Sequence, residues 1–461
     1  MVVSLCAAEP RERQGIRRLY FRTPLGRVAV IVALAIVIGA PSAARAQAIP
    51  AADSLAVPVD STLDLPTVIA RALMVSPAAT LGEENIETAR SAGRVAAGAY
   101  LPSLTANASS LRSDIISPAT IGATSGSAYS AGLASSIDLF TGGRRSADRA
   151  RARADLTAAE ATNVSQRYAV TLGATRAFYE TLRGAELVAV ANARVTRAER
   201  GLRYAQDRVR AGTATKSDEL RARLELTSGR QQRLAAVDTM RTATLVLGRI
   251  VGVDGPIGAR APASLEPQPL ALDDSAIVRL ATDAAPSVTA AAASVRATEA
   301  ATRSAKALYL PGVRLTGGYA WANQSPVLSA TRPGWQLALG TSFPLFNGYL
   351  REDAVTRSQA QAEISRVTAL DVTRQVRTES KRLIGALALA TEAIRLAAEA
   401  QSVAREDLRV QTERYRAGIS TSLDQLTSEL ALTQAELGFV AARYNYQVVR
   451  AQLEALVGRP L

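Results

Sequence analysis

The chain has no His, a single Cys, only three Lys among its 54 basic residues, and 4% aromatic residues. Without His there is no Ser-His-Asp triad, no Cys-His pair and no imidazole base at neutral pH. A zinc site would lack its usual His or multiple Cys ligands. Neither a P-loop nor a GxSxG is present, and Lys216, Lys306 and Lys381 are the only lysines that could act as a base. The carboxylate pairs Glu83-Glu84 and Asp273-Asp274 lie near expected helix starts, where acids are favoured without any catalytic reason. We therefore expect no reaction, no cofactor and no metal site. Beyond the N-terminal region no stretch approaches about 18 consecutive apolar residues, so no transmembrane helix is expected. The chain is 461 residues long and 48% hydrophobic. With so few aromatics, that fraction is chiefly small residues, above all Ala, and an Ala-rich charged chain leans helical. The length predicts two domains or one elongated body.

Residues 1–46 read as a secretory signal. Arg11, Arg13, Arg17, Arg18, Arg22 and Arg27 form a basic region, residues 28–40 an apolar run, and Ala44-Arg45-Ala46 a small-x-small cleavage site. Cleavage there would make Gln47 the first residue; an uncleaved anchor is the alternative. Removal takes seven Arg and two Glu, so a formal net charge of +13 falls to about +8, and it takes Cys6. The exported chain would then have no thiol, which excludes disulfides and thiol redox chemistry.

The sequence is written twice. Leu63-Asp64, Val68-Ile69, Pro77 and Tyr100-Leu101-Pro102 correspond to Leu272-Asp273, Ile277-Val278, Pro286 and Tyr309-Leu310-Pro311 at an offset of 209. Leu139-Phe140, Gly142, Arg208, Arg210-Ala211-Gly212, Asp218 and Val251-Gly252 correspond to Leu345-Phe346, Gly348, Arg414, Arg416-Ala417-Gly418, Asp424 and Val457-Gly458 at an offset of 206. One offset held across so many landmarks marks a duplication. Its single change, by three, falls where a surface loop is expected. We divide the exported chain into a first repeat at 47–254, a linker rich in Pro, Gly and Ala at 255–269, and a second repeat at 270–461.

Each repeat is expected to carry the same elements. Two helices (about 64–75 and 78–98; 273–284 and 287–307) lead into two strands (about 101–113 and 127–140; 310–322 and 333–346). A very long helix follows, from about 143 to 211 and from 348 to 417, and then a further helix. The strands rest on alternation: Trp335, Leu337, Leu339 and Phe343 against Gln336, Ala338, Gly340 and Ser342, and Val313, Leu315, Tyr319 and Trp321 against Arg314, Thr316 and Ala320. Larger apolar residues on one face and small polar ones on the other suit a barrel between lipid and water, and a soluble antiparallel sheet is the alternative. Neither long helix contains Pro, which predicts a coiled coil. Leu423, Leu426, Leu430, Thr433, Leu437, Val440 and Tyr444 form an a/d stripe, with Ile364, Val367, Leu370, Leu383, Leu387, Ile394, Val403 and Leu408 as its neighbours. The many Arg and Glu are read as solvated faces with i,i+4 pairs and not as a nucleic-acid surface.

Four strands do not close a membrane barrel, which needs about eight. Left open in hydrocarbon, their edges would hold unpaired N–H and C=O groups. If the strands span a membrane, the chain must oligomerise.

On these motifs the chain resembles the TolC-like outer-membrane efflux protein family over essentially its whole exported length. Tyr100-Leu101-Pro102 and Tyr309-Leu310-Pro311 resemble the family's entry into the first strand of each half. Phe140-Thr141-Gly142-Gly143-Arg144 and Phe346-Asn347-Gly348 resemble its strand-to-helix swivel. Arg414-Tyr415-Arg416-Ala417-Gly418 with Asp424 and Leu426 resembles its helix-turn-helix tip. The resemblance implies a mostly α fold with a small transmembrane β part. A duplicated α-helical coiled-coil barrel would carry four strands per chain into a trimeric twelve-stranded β-barrel. It implies a homotrimer in outer-membrane lipid of a diderm bacterium, reaching into the periplasm. The function implied is passive conduction as the exit duct of a tripartite efflux pump or type I secretion system, with a periplasmic adaptor and an inner-membrane transporter as partners. The competing reading is an exported periplasmic coiled-coil adaptor or scaffold without membrane insertion.

The expected functional residues follow. Gly142, Gly143 and Gly348 would form the swivels, and Tyr100, Phe140, Tyr309, Phe343 and Phe346 an aromatic belt at the membrane interface. Gly212 and Gly418 would adopt positive φ as helix C-caps, with Thr215 or Ser217, and Thr421 or Ser422, capping the next helix. By resemblance, the tips, with Gly212, Thr213, Gly418 and Ile419, would dock the adaptor. Asp424, with Asp218 and Thr427, would line the periplasmic entrance, three copies of Asp424 forming an acidic ring. A first-turn Asp favoured by the helix dipole is the plainer reading. Thr427 stands where well-studied members carry a second Asp, which predicts a weaker cation block.

Overall fold

The computed structural model describes residues 62–116, 123–323 and 332–461. They belong to one compact unit, residues 57–461. The expected signal at 1–46 lies outside the described residues.

The order is β1 (Thr62–Leu63), α1 (Leu65–Val75), α2 (Pro77–Gly98), β2 (Ser103–Ile116), β3 (Ala123–Phe140), α3 (Arg144–Arg210), α4 (Lys216–Ile250), β4 (Gly258–Ala259), α5 (Asp274–Ala284), α6 (Pro286–Lys306), β5 (Gly312–Asn323), β6 (Arg332–Ser342), α7 (Leu350–Arg416) and α8 (Ser422–Val457). Pro77 and Pro286 each occupy the first turn of their helix, where the missing N–H costs nothing and φ is preset. Helices α3 and α7 have 67 residues each, so each runs about 100 Å at 1.5 Å per residue. Neither pays for this length with propensity alone, because each packs along a partner helix, α4 or α8.

The duplication is visible in the core. Val68, Ala72, Leu247 and Val251 are buried in one cluster with Phe178 and Leu182, and their counterparts Ile277, Ala281, Leu453 and Val457 are buried in a second cluster with Leu383 and Leu387. The segment at 255–269 is more than a tether. Gly258–Ala259 pairs in parallel with Thr62–Leu63, and Ile257 is fully buried.

The main sheet is antiparallel in the order β2-β3-β5-β6. Its strands begin just past Pro102 and Pro311. The last expected strand, 333–346, is shorter than the alternation implied: it ends at Ser342, because Pro344 has no N–H to give the ladder. Phe343, Leu345 and Phe346 thus lie in the connection to α7 and not in β6.

The a/d stripe on α8 is buried over only part of its length. Thr433, Val440 and Tyr444 are buried, while Leu423 and Leu430 are exposed. Of the expected neighbours on α7, Leu383, Leu387 and Leu408 are buried, but Ile364, Val367, Leu370 and Val403 are exposed. The apolar period is real, but within one chain it has more surface than one partner helix covers. The charged residues pair mostly along their own helices, as in Arg382–Glu379, Arg395–Glu392 and Arg409–Glu406. Such exposed pairs contribute about 0.5 kcal/mol at most. No single described helix is long and apolar enough to cross a membrane.

Candidate functional site

Residues directly opposed across an antiparallel pair share a face. The register puts Leu104, Leu133, Tyr319 and Trp335 on one face, with Ile137, Leu315, Leu337, Leu339 and Trp321. The other face carries Thr105, Asn107, Ser109, Ser130, Ser136, Asp138, Arg314 and Thr316. The apolar face is uncovered: Trp335 is 77% exposed and Leu339 67%. On the polar face Arg314 Nε donates to Asp138 Oδ1 at 2.6 Å. Among the described residues, strands β2 and β6 each have one neighbour only, so both sheet edges are open.

The candidate belt gathers at one end of this sheet. Tyr100 and Tyr309 precede β2 and β5, Phe140 closes β3, and Phe343 and Phe346 follow β6, all at the end facing the long helices. All five are exposed. Phe140 gets its place from a β-bulge: the register shifts between Asp138 and Phe140, so that Phe140 opposes Val313 on the apolar face.

At the swivels, Gly142, Gly143 and Gly348 have φ of 63°, 88° and 66°. The counterpart of Gly143 is Tyr349, also at φ 66° and the only non-Gly residue with positive φ among the described residues. Its ring meets Phe346 edge-on at 5.7 Å. Reading the repeat did not single it out. Nor did it single out the residues that brace the swivels. Arg145 donates to the carbonyls of Ala99 and Leu139 at 3.2 and 3.1 Å and stacks over Tyr100 at 4.6 Å. Arg351, 206 positions later, donates to Pro344 and Leu345 at 2.9 and 3.3 Å and stacks over Tyr309 at 5.0 Å. Each long helix thus holds the chain that leads into it, the end of β3 or the connection after β6, through one guanidinium. The repeat offset alone pairs these arginines in the sequence.

The tips are two copies of one turn. After α3, Thr213 N–H donates to Arg208 O at 2.9 Å and Gly212 N–H to Val209 O at 3.1 Å. After α7, Ile419 N–H donates to Arg414 O at 3.0 Å and Gly418 N–H to Tyr415 O at 3.1 Å. Both are Schellman motifs, with the glycines at φ 73° and 80°. The caps are Thr215 and Thr421, each in a capping box with the Asp three residues on. Asp424 Oδ2 accepts from Thr421 N–H at 2.9 Å and from Ser420 Oγ at 3.0 Å. The Thr421 backbone N–H is the main reason its pKa is lowered, so it is a carboxylate at neutral pH. Ser217 and Ser422 are not caps. Ser422 Oγ instead donates to Asp218 Oδ1 at 2.5 Å and ties the two tips together, the largest cause of the lowered Asp218 pKa. Arg208 adds a second tie, donating to Tyr415 O at 3.3 Å and stacking on its ring. Thr427 turns its hydroxyl to Leu423 O at 2.9 Å.

Above the tips, helices α3, α4, α7 and α8 enclose a cavity of about 50 Å³ lined by Ala198, Gly201, Ala205, Glu225, Leu426 and Glu429. Burial and the nearby Glu225 push the pKa of Glu429 up to about 7. Glu225 is held by Arg194 at 2.8 Å and Glu436 by Arg197 at 3.1 Å.

The family described as "Outer membrane efflux protein" matches residues 68–253 and 277–459, segments that lie within the stretches 47–254 and 270–461 read as repeats from the sequence. No curated protein matches the chain. Among solved structures, the outer membrane protein VceC from Vibrio cholerae is 18% identical with a TM-score of 0.74, over 86% of this chain and 96% of that one. The MtrE outer membrane channel of Neisseria gonorrhoeae, in its open state, is 20% identical with a TM-score of 0.74, over 86% and 89%. The CmeC outer membrane channel of Campylobacter jejuni is 16% identical with a TM-score of 0.73, over 86% and 85%. At these identities the likeness concerns the fold.

Proposed function

The chain belongs to the outer membrane efflux protein family, and from that premise we propose that three copies assemble into one duct that opens in the outer membrane and reaches into the periplasm. The protein is an outer-membrane efflux channel and a conduit, and no catalytic step is asked of it. The observation that carries the trimer is the sheet of four strands with two open edges, one apolar face and one polar face. Hydrocarbon does not tolerate such edges, and three copies would bring twelve strands to one closed barrel. The apolar face with Trp335, Leu337 and Leu339 would meet lipid, and the face with Asn107, Asp138, Arg314 and Thr316 would meet water. Soluble hairpins of a periplasmic adaptor would have no use for that exposed face.

In this reading Gly142, Gly143 and Gly348, braced by Arg145 and Arg351, set the turn from barrel wall to helix. Tyr100, Phe140, Tyr309, Phe343 and Phe346 lie at the periplasmic membrane interface. The tips, with Gly212, Thr213, Gly418 and Ile419, receive a periplasmic adaptor, which links the duct to an inner-membrane transporter. Asp218, Asp424 and Thr427 line the entrance. The cargo, whether drug, metal or protein, is chosen by those partners, because a water-filled duct selects weakly.

Fractionation and the native mass of the detergent-extracted complex test this. We expect recovery in the outer membrane with the mass of three chains. A soluble periplasmic monomer would overturn it.

A further inference from the structure

The polar face of the sheet carries few charges, and they gather toward the end where the strands meet the long helices. By register, its ionisable residues among the described strands are Asp138, Arg314 and Arg332, the last opposite Ala322. Asp138 and Arg314 are direct cross-strand partners on β3 and β5, beside the bulge that leads to Phe140. Arg314 Nε lies 2.6 Å from this carboxylate, and Arg144, the first residue of α3, reaches its other oxygen at 3.9 Å. Two guanidinium groups thus share one acid, and one positive charge stays uncompensated. Exposure decides which sign is presented: the Arg314 and Arg144 side chains are 61% and 46% exposed, and Asp138 only 24%. The three border a hollow of about 540 Å³ with Thr141, Thr316 and Thr341. Two further charges stand nearby on α3 and are opposite in sign. Arg145 is tied to the Ala99 and Leu139 carbonyls, and Asp148 accepts from Ser304 Oγ at 2.7 Å. The duplication does not repeat this cluster. The positions that match Asp138, Arg144 and Arg314 in the other half are Pro344, Leu350 and Thr105. Each chain therefore contributes one cluster and not two.

We propose that Arg314 and Arg144 form a ring of guanidinium groups at the neck between barrel and helices, and that this ring makes the duct favour anions over cations of equal size. The inference rests on the reading of three copies closed into one barrel with the polar face inward. It adds the sign of charge that passes the neck more readily. Rings of charged side chains set the sign of the ions that a pore favours, and arginine rings favour anions. A guanidinium keeps its charge throughout the physiological pH range, so the preference does not titrate away. Asp138 holds the two like charges side by side and tempers the ring, which without it would carry two positive charges per chain. A wide, wet neck screens its own charge, since the Debye length is about 8 Å at physiological ionic strength. The preference is therefore modest, and it acts on small ions and on charged solutes that pass close to the wall.

The reversal potential of the purified complex in planar bilayers under a KCl gradient tests this. Arg144→Gln, Arg314→Gln, their combination and Asp138→Asn are each compared with the wild type, and the comparison cancels what the periplasmic entrance contributes. We expect the ratio of chloride to potassium permeability to fall about twofold or more in the combination, where Asp138 stands unopposed, and to rise in Asp138→Asn. The differences should widen near 0.01 M salt and fade near 1 M, where the Debye length is about 30 Å and about 3 Å. Arg144→Gln leaves the Asp138–Arg314 pair of the sheet in place, so its smaller fall still decides the matter if Arg314→Gln does not assemble. Reversal potentials that ignore all of these changes would overturn this inference and leave the duct standing. A shift of the same size at both salt concentrations would also overturn it, because pore shape and not charge would then be the cause. Complexes that form no channel would instead overturn the reading on which it rests.

Discussion

Two carboxylates near the tips meet opposite environments. Asp424 is exposed and receives an N–H and hydroxyls from its own turn, which favour the charged form. Glu429 lines the cavity between helices, where burial and Glu225 favour the neutral form. Arg194 and Arg197 on α3 pull the other way but are engaged by Glu225 and Glu436. A native pKa raised from 4.5 to about 7 means that the folded state binds this proton more tightly than the unfolded one. The stabilisation is therefore full below the unfolded value and is lost as pH rises through about 7. The melting temperature of the wild type should fall between pH 5 and 8 more steeply than that of Glu429→Gln, and parallel profiles would refute this. At the swivel, Arg351→Ala leaves the Pro344 and Leu345 carbonyls without their donor. It should cost about 1–3 kcal/mol in thermal unfolding. Lys should rescue little, since it cannot fork to two carbonyls and stack on Tyr309 at once.

At the scale of elements, the repeat offset proved the most informative thing in the sequence. Pro77 and Pro286, and Gly212 and Gly418, are local signals, and local physics makes them legible without a partner. The caps were legible only as a choice between Thr215 and Ser217 and between Thr421 and Ser422, which the structure decides for the threonines. Thr421→Ala should therefore cost about 1 kcal/mol, read as a lower melting temperature. Other features depend on what lies opposite in space. The stripe through Leu423 and Leu430 is periodic but exposed, because periodicity reports an apolar face and not which element covers it. The role of Ser422 was open for a similar reason: cap and cross-tip donor look alike in sequence, and only the approach of Asp218 decides between them. Likewise Tyr349 was not legible, because a bulky residue at positive φ runs against local preference. The offset also fixes a strand register. Since Ser135 opposes Gly317 between β3 and β5, Thr341 of β6 should oppose Ala108 of β2 in the neighbouring copy. Oxidation of a Thr341→Cys/Ala108→Cys variant should link chains, and linkage only with Ala108 displaced by one residue would show the register to be wrong.

For the molecule as a whole, the exposed apolar sheet face is an expense in water and a requirement in lipid. Leu339→Arg places a charge on that face and should destabilise the inserted form by about 2–4 kcal/mol near mid-bilayer. The yield of assembled protein in the outer membrane should fall accordingly, while the same change at Thr316, on the polar face, should leave it intact. The long uninterrupted helices and the open sheet with one apolar and one polar face describe the wall of a passage. The most direct measurement is therefore the single-channel conductance of the purified complex in planar bilayers. The account predicts discrete, long-lived conductance steps, with the size or the divalent-cation block changed by Asp424→Ala. Protein that inserts no conducting unit under any condition would contradict it.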